Sequence, residues 1–299
     1  MRDLTLVIVA YKSADDMITL LASVAAAVDE LTWHAIVVDN YGDDGIAAAH
    51  AADSRVTVVT ANGNLGFSGG ANLGLGYATP SHFTIFLNPD LVLEAGSISS
   101  LVETCRKEGI GATVPLLTNE SGVIQPSLRR EPSMLRSLGE ALFGDHWPGR
   151  PHWLSEMVRS NEPYRTMAPV DWATGAALLV KTNVLGFVGE WDAARFFLYS
   201  EETDYCRRIR QSGLQIVFVP GAIMRHRGAG SGTSIQLDAL LALNKLRYFR
   251  KWHGSVASAM FYGVAVVHSL VRVRRAESRL ILRALSSPSV RAALPGGKA

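Results

Sequence analysis

Leu4-Thr5-Leu6-Val7-Ile8-Val9-Ala10, residues 4–10, decides the fold class. The run is continuous, apolar and β-branched, the pattern of a strand covered on both faces, and such strands belong to sheets flanked by helices. Residues 14–28 follow with Met17, Leu20, Leu21 and Val24 at helical spacing and Ser13 placed as a cap. The alternation then repeats. HAIVVD (34–39) reads as a strand, 45–52 as a short helix, RVTVVT (55–60) as a strand and 68–78 as a glycine-loosened helix. HFTIFL (82–87) is a fourth strand and 94–108 a further helix. Strands alternating with helices predict a largely parallel sheet with right-handed crossovers.

Beyond this the pattern loosens. Residues 119–170 carry many turn formers, among them Pro126, Pro132, Pro151 and Pro163, and read as an irregular, substrate-facing connection. Strands are expected at 176–181 and at RFFLY (195–199). A helix over 201–211, capped by Ser200, and a last strand at 214–219 follow. The expected organisation is a single α/β nucleotide-binding domain over 1–240, its nucleotide half 1–118 and its acceptor half 119–240, with a helical C-terminal extension over 241–299.

The chain has 299 residues and a net charge of only +2, so composition gives no case for nucleic-acid binding. The charge is uneven: from residue 241 onward eleven lysines and arginines face the single acid Glu277, which suits an anionic surface. SVASAMFYGVAVVHSLVRV (255–273) is apolar but short for a span and contains His268. It is expected to pack on the domain or lie at a membrane surface rather than cross one. Cys105 and Cys206 form neither a metal-ligand spacing nor a disulfide framework, which suits a reducing cytoplasm. The run after Met1 is too short for a signal peptide. A cytoplasmic protein, peripheral at the inner face of the plasma membrane, is the expectation.

In open parallel sheets ligands bind beyond the carboxyl ends of the strands. The residues standing there are Tyr11, Asp39-Asn40, the segment 62–72, Asn88-Pro89-Asp90, the trio Glu201, Glu202 and Asp204, and His226 with the glycine-rich, flexible-looking 228–232. Asp39 can accept a base N–H or a ribose hydroxyl, or serve only as a turn residue. Asn64–Asn72 (NLGFSGGAN) opens a helix whose free N–H groups favour phosphate, although a glycine-rich turn alone would look the same. Asp90, aimed outward by Pro89, is the sort of lone carboxylate that holds Mg²⁺ or Mn²⁺ beside a diphosphate; a plain type I turn is the bland alternative. Three carboxylates in one helical turn exceed what dipole compensation needs, and one can be a general base. A lone histidine such as His226 is more often structural than a ligand.

Taken in order, VIVAYK (7–12), VVDN (37–40), NLGFSGGAN (64–72), FLNPD (86–90), VDWATGAALLVK (170–181) and FFLYSEETDYCRRIRQSGLQIVFVPGAIMRHRG (196–228) resemble the family 2 inverting glycosyltransferases of the A-type fold, in their rhamnosyltransferase-like branch. The resemblance covers residues 4–250. It implies that Ala10, Tyr11 and Asp39 hold the nucleotide base. It places Asn64, Phe67, Gly69 and Asn72 along the nucleotide-sugar, and Asn88 and Asp90 at the diphosphate. Asp90 and His226 would bind the metal, Glu202 would be the catalytic base with Glu201 and Asp204 beside the substrates, and Trp172 and Gly175 would shape the sugar and acceptor site. The chain departs from the pattern at Ala10, where a polar residue is usual, at Glu202, where Asp is typical, and over 135–168, which matches nothing named. The implied donor is a dTDP-sugar, dTDP-L-rhamnose first and a UDP-sugar such as UDP-galactofuranose or a UDP-hexose second, with a glycan or polyprenyl-linked acceptor. Asp39 fits a pyrimidine, since thymine and uracil share the N3–H that it can accept. Nucleotidyltransferases are disfavoured because VIVAYKSADD lacks a triphosphate-gripping signature, and a non-catalytic scaffold has no use for Asp90 and Glu202 together.

Overall fold

The computed structural model describes residues 1–42, 45–144, 147, 149–228 and 234–297. Its elements run β1 (Arg2–Ala10), α1 (Ala14–Val28), β2 (Trp33–Asp39), α2 (Ile46–His50), β3 (Val56–Thr60), α3 (Gly66–Gly76), β4 (Ser81–Leu87), β5 (Leu91–Leu93) and α4 (Ser97–Arg106). There follow β6 (Ile110–Thr118), β7 (Leu128–Arg129), α5 (Met134–Phe143), β8 (Ala168–Pro169), β9 (Trp172–Ala173), β10 (Ala177–Lys181), α6 (Thr182–Val188), α7 (Glu201–Gln211) and β11 (Gln215–His226). The chain finishes with α8 (Ile235–Trp252), α9 (Ser255–Val271), α10 (Ala276–Ser286) and α11 (Pro288–Ala292).

The main sheet has the order β3-β2-β1-β4-β10-β6-β11-β5, with β8 added against β11. β3, β2, β1, β4, β6 and β11 run one way; β10, β5 and β8 run the other. β1 lies in the middle of its parallel half, and its two faces feed different cores. Leu4, Leu6 and Ile8 pack with Met17, Leu20 and Val24 of α1, whereas Val7 and Val9 pack with Ala71 of α3. The alternation of side chains along a strand thus divides one run between two layers, and its single polar residue, the buried Thr5, is satisfied by donating to Ser81 Oγ at 3.0 Å.

The glycines of α3 have a different use from the one the sequence suggests. A Cβ at Gly70 would lie 2.6 Å from Val9 Cγ1, and one at Gly74 2.8 Å from Val7 Cγ1. They allow the helix to sit directly on β1 and β2.

β6, which the sequence reading left unassigned, contains Pro115 in mid-strand. The missing N–H is accommodated because the register with β11 breaks between Val219 and Ile223, opposite that proline. β11 continues through this irregularity, past Pro220-Gly221, to His226, so the strand expected to stop at 219 runs seven residues further and pairs with β5. Residues 119–170 are not wholly irregular either, since β7, α5 and β8 lie within them.

The strand expected at 195–199 is absent. Backbone N–H groups of Arg195 and Phe196 donate to Asp192 O, and Tyr199 and Ser200 turn through φ values of 72° and 68°. The segment's carbonyls are satisfied from elsewhere: Phe67 N–H donates to Phe197 O, and Asn244 Nδ2 donates to Leu198 O and Tyr199 O. Ser200 precedes α7 without a side-chain capping bond. The expected boundary at 240/241 falls inside α8, which is tied to the sheet domain through Asn244, Tyr248 and Lys251. Together α8–α11 form a third apolar core around Leu243, Phe249, Phe261 and Ile281. α9 packs on α5, α8 and α10, and among the described residues no helix is long and apolar enough to cross a membrane.

Candidate active site

Parallel register brings Ala10, Asp39 and Thr60 side by side at the carboxyl ends of β1, β2 and β3. Asp39 is buried, and its Oδ1 accepts the N–H groups of Tyr41 and Gly42 at 2.9 and 2.8 Å. That bond turns the chain back so that Tyr41 meets Tyr11, their exposed rings edge to face at 5.7 Å. Lys12 Nζ lies 4.9 Å from the Tyr41 ring centre. Two wet aromatic rings beside a carboxylate and a cation make a surface on which a planar base can stack. Tyr41 and Lys12 were not singled out in the sequence, although their places beside Asp39 and Tyr11 mark them.

The 64–72 segment is more occupied with its own fold than its motif suggests. Asn64 Oδ1 accepts Gly66 N–H, and Phe67 N–H is taken by Phe197 O. Asn72 bonds the Trp191 backbone through both its amide groups, at 2.8 and 2.9 Å, and the Phe67 ring packs against the Trp191 ring. Gly66 stands at φ 69°, where a Cβ would fall on the Phe197 carbonyl. Two of the N–H groups expected to meet phosphate are therefore used internally, and Gly69 packs against Leu65.

Asp90 follows β4, is 7% exposed, and meets His226 from the end of β11, with Oδ1 3.3 Å from Nε2. Pairing of β5 with β11 sets this contact, because His226 stands opposite Leu91. Gln125, a residue no motif announced, embraces the histidine. Its Nε2 donates to His226 O at 2.7 Å, and its Oε1 lies 3.0 Å from Nδ1. The tautomer in which Nδ1–H donates to Gln125 leaves the Nε2 lone pair facing Asp90, as a metal ligand requires. Burial pushes the Asp90 carboxyl pKa up, whereas His226 pulls it down when its Nε2 carries a proton, and the net shift is downward. With Nε2 unprotonated, the buried Asp90 Oδ1 accepts no hydrogen bond. Among the described residues no three candidate ligands cluster, so a Mg²⁺ or Mn²⁺ ion held by this carboxylate and imidazole would take its other ligands from a diphosphate and water.

Glu202 stands in the first turn of α7, with its Cβ 3.6 Å from where a Cβ on Gly175 would be. Gly175 and Ala176 lead into β10, and Ala176 O accepts Asn88 N–H at 2.8 Å, so the Glu202 region adjoins the 88–90 turn just before β10 begins. Burial is the main cause raising the Glu202 carboxyl, which is pushed up to about 7 against the opposing charges of Arg129 and Lys245. Its Oε2 has no hydrogen-bond partner. A carboxylate poised near neutrality is suited to taking a proton from a hydroxyl.

Its neighbours differ. Glu201 is buried, and burial followed by the charge of Glu202 keeps its carboxyl well above the usual range. Asp204 does not join the group. It is fully buried and engaged by Arg208 Nε at 3.0 Å, Trp252 Nε1 at 2.9 Å and Lys251 Nζ at 2.7 Å, fastening α7 to α8. Trp172 is also buried, donating to Arg130 O, and anchors the β7–β9 pair behind Gly175.

Residues 5–157 match the family described as Glycosyl transferase family 2. The N-acetylglucosaminyl-diphospho-decaprenol L-rhamnosyltransferase of Mycobacterium tuberculosis is 30% identical over 257 residues, 82% of each chain. In fold the chain is similar to GalNAc-T7 solved with UDP, GalNAc and Mn²⁺ (TM-score 0.63, 14% identity, 90% of this chain and 51% of that one). It is also similar to a Pyrobaculum calidifontis mannosyltransferase solved with GDP-Man and Mn²⁺ (TM-score 0.55, 15% identity, 100% of this chain and 80% of that one).

Proposed function

The chain belongs to glycosyltransferase family 2, and on that premise we propose that it moves a sugar, L-rhamnose from dTDP-L-rhamnose, with inversion onto a lipid-linked saccharide in cell-surface polysaccharide synthesis. The observation that carries the mechanism is Glu202, a carboxyl pushed up to about 7 by burial, with an unpartnered oxygen, beside the Gly175-Ala176 segment that bonds the turn bearing Asp90. As the acceptor oxygen attacks the anomeric carbon, its proton passes to Glu202. The bond from that carbon to the phosphate oxygen breaks, and its electron pair leaves with the nucleoside diphosphate. One displacement inverts the centre. Asp90 and His226 would hold the Mg²⁺ or Mn²⁺ that supplies positive charge against the leaving diphosphate. Tyr11, Tyr41 and Asp39 receive the pyrimidine.

Glu202→Gln tests this reading. Turnover should fall ~10²–10⁴-fold, while nucleoside-diphosphate affinity measured with Mn²⁺ stays unchanged. Near-native turnover would remove Glu202 from the reaction. Competition among dTDP, UDP, GDP and CDP tests the base, and tightest binding by GDP would overturn the pyrimidine assignment. The same reading has the protein rest on an anionic bilayer through α9. Val256, Met260 and Val271 of that helix are 77%, 58% and 68% exposed, and Arg272, Arg274 and Arg275 follow at once. Val256→Asp with Met260→Asp should weaken sedimentation with phosphatidylglycerol vesicles, and equal sedimentation would refute the contact.

A further inference from the structure

Glu202 follows directly on a stretch of strained backbone. Tyr199 and Ser200, the two residues ahead of the Glu201-Glu202 pair, both stand in the left-handed region, at φ 72° and 68°. Neither is glycine, and a Cβ there crowds the neighbouring carbonyl oxygen. Two such residues in succession persist only where their surroundings hold them. Ser200 offers α7 no side-chain cap, although its carbonyl accepts Asp204 N–H at 3.0 Å as the helix begins.

The hold comes from outside the sheet. Asn244, within α8 and fully buried, donates from Nδ2 to Leu198 O at 2.7 Å and to Tyr199 O at 3.2 Å. Both amide protons are thereby used, and Oδ1 accepts from Arg247 Nη1 at 2.9 Å, one turn further along α8. Arg247 Nη1 also reaches Arg195 O at 3.3 Å, at the start of the same segment. The guanidinium fixes which way round the amide sits, because a flipped Asn244 would turn its oxygen toward two carbonyl oxygens. From the other side, Phe67 N–H of α3 holds Phe197 O at 2.9 Å. The segment is strung between α3 and α8, and the acidic head of α7 leaves from it.

We propose that Asn244 is a positioning residue for the transfer reaction, with Arg247 orienting it. Its amide holds the 198–200 turn in the backbone conformation that sets Glu202 against Gly175. The assignment rests on the reading of Glu202 as the base and gives the C-terminal helices a part in the active site. An asparagine present for packing alone would need no pair of aligned donors, and an apolar side chain of similar size would replace it. A clamp on a strained turn cannot be replaced in that way, because the two carbonyls lose their partner and the turn is free to relax.

Asn244→Leu in the full chain, close in volume and without donors, tests this. Turnover should fall about 10²-fold, the cost of a displaced catalytic group, while Mn²⁺-dependent dTDP affinity stays unchanged. Hydrogen exchange over residues 198–204 should quicken about tenfold. Adding Ser200→Gly, which admits the left-handed turn without a clamp, should restore about tenfold of the lost turnover. Should Asn244→Leu fail to fold, Arg247→Gln frees the amide to flip and should lower turnover several-fold, with a smaller loss in Arg247→Lys, which keeps a donor. Native turnover in the folded variants would overturn the proposal. So would a loss of dTDP affinity as large as the loss of turnover, or a double variant no better than Asn244→Leu. The two readings fail apart: a fully active Glu202→Gln removes the base itself, whereas an inactive Glu202→Gln beside a fully active Asn244→Leu removes only the positioning role.

Discussion

The donor half and the helical half of this protein are held together in different ways. Around β1–β4 the chain is built from apolar runs and close backbone approach, and its polar groups gather at strand ends. Around α5, α7 and α8 the contacts are buried and half-buried charge networks, most of them joining residues far apart in sequence. Glu131 accepts from Arg207, Arg210 and Tyr248; Glu140 from Arg150 and Arg159; Asp204 from Arg208, Lys251 and Trp252. Packing is forgiving of which apolar residue fills a site. A buried network loses heavily when one partner goes, because the others remain charged and unpaired.

That contrast can be broken most directly at Asp204. Asp204→Ala takes the only carboxylate from Arg208 among the described residues and leaves Lys251 with Asp192 alone, and denaturant unfolding should show a loss of about 3–5 kcal/mol. A loss below about 1 kcal/mol would mean that the network contributes little and the apolar core of α8–α11 alone holds the helices. In the donor half, Gly74→Val should cost about 1–3 kcal/mol, since its new Cβ would stand 2.8 Å from Val7 Cγ1 and 3.1 Å from Val38 Cγ2. An unchanged midpoint there would show that α3 can lift from the sheet.

A third effect sharpens the comparison by pH. Glu201 has a folded-state carboxyl raised by burial and by Glu202, so its folded state holds a proton that the unfolded chain gives up above about pH 4.5. The stability it lends is fully present below that pH and is lost as pH rises, by about 1.4 kcal/mol per unit while the folded group stays protonated. Glu201→Gln removes this slope. The variant should match the native protein near pH 4 and exceed it at pH 8 in thermal melts, and parallel curves would show that Glu201 ionises freely. The same sign reasoning has turnover rise through pH 7 as Glu202 loses its proton.

Much of the donor half was legible because strand and helix periods are local. The β1, β2, β3 and β4 runs, and the residues following them, stand where their patterns imply. RFFLY misled because an apolar aromatic run also describes a buried turn: Phe196 is buried, but its neighbours' carbonyls are bonded by Asn244 rather than by a strand. β6 escaped notice because Pro115 argues against a strand unless the partner is irregular at the same level, and that partner lies a hundred residues away. Asp204 shared the acidic signature of Glu202, yet the helix turns it toward Lys251 and Trp252.

The sequence by itself determined the α/β layering, the strand ends that carry Asp39 and Asp90, and the carboxylates heading α7, because burial and secondary structure are written in short-range hydrophobic spacing. Only the tertiary structure decided which polar groups meet. Continuation of β11 past its bulge brings His226 to Asp90 and Gln125, and the return of α8 across α7 leaves Glu202 free while it consumes Asp204. Those meetings depend on strand order and register between distant segments, and no local period encodes them.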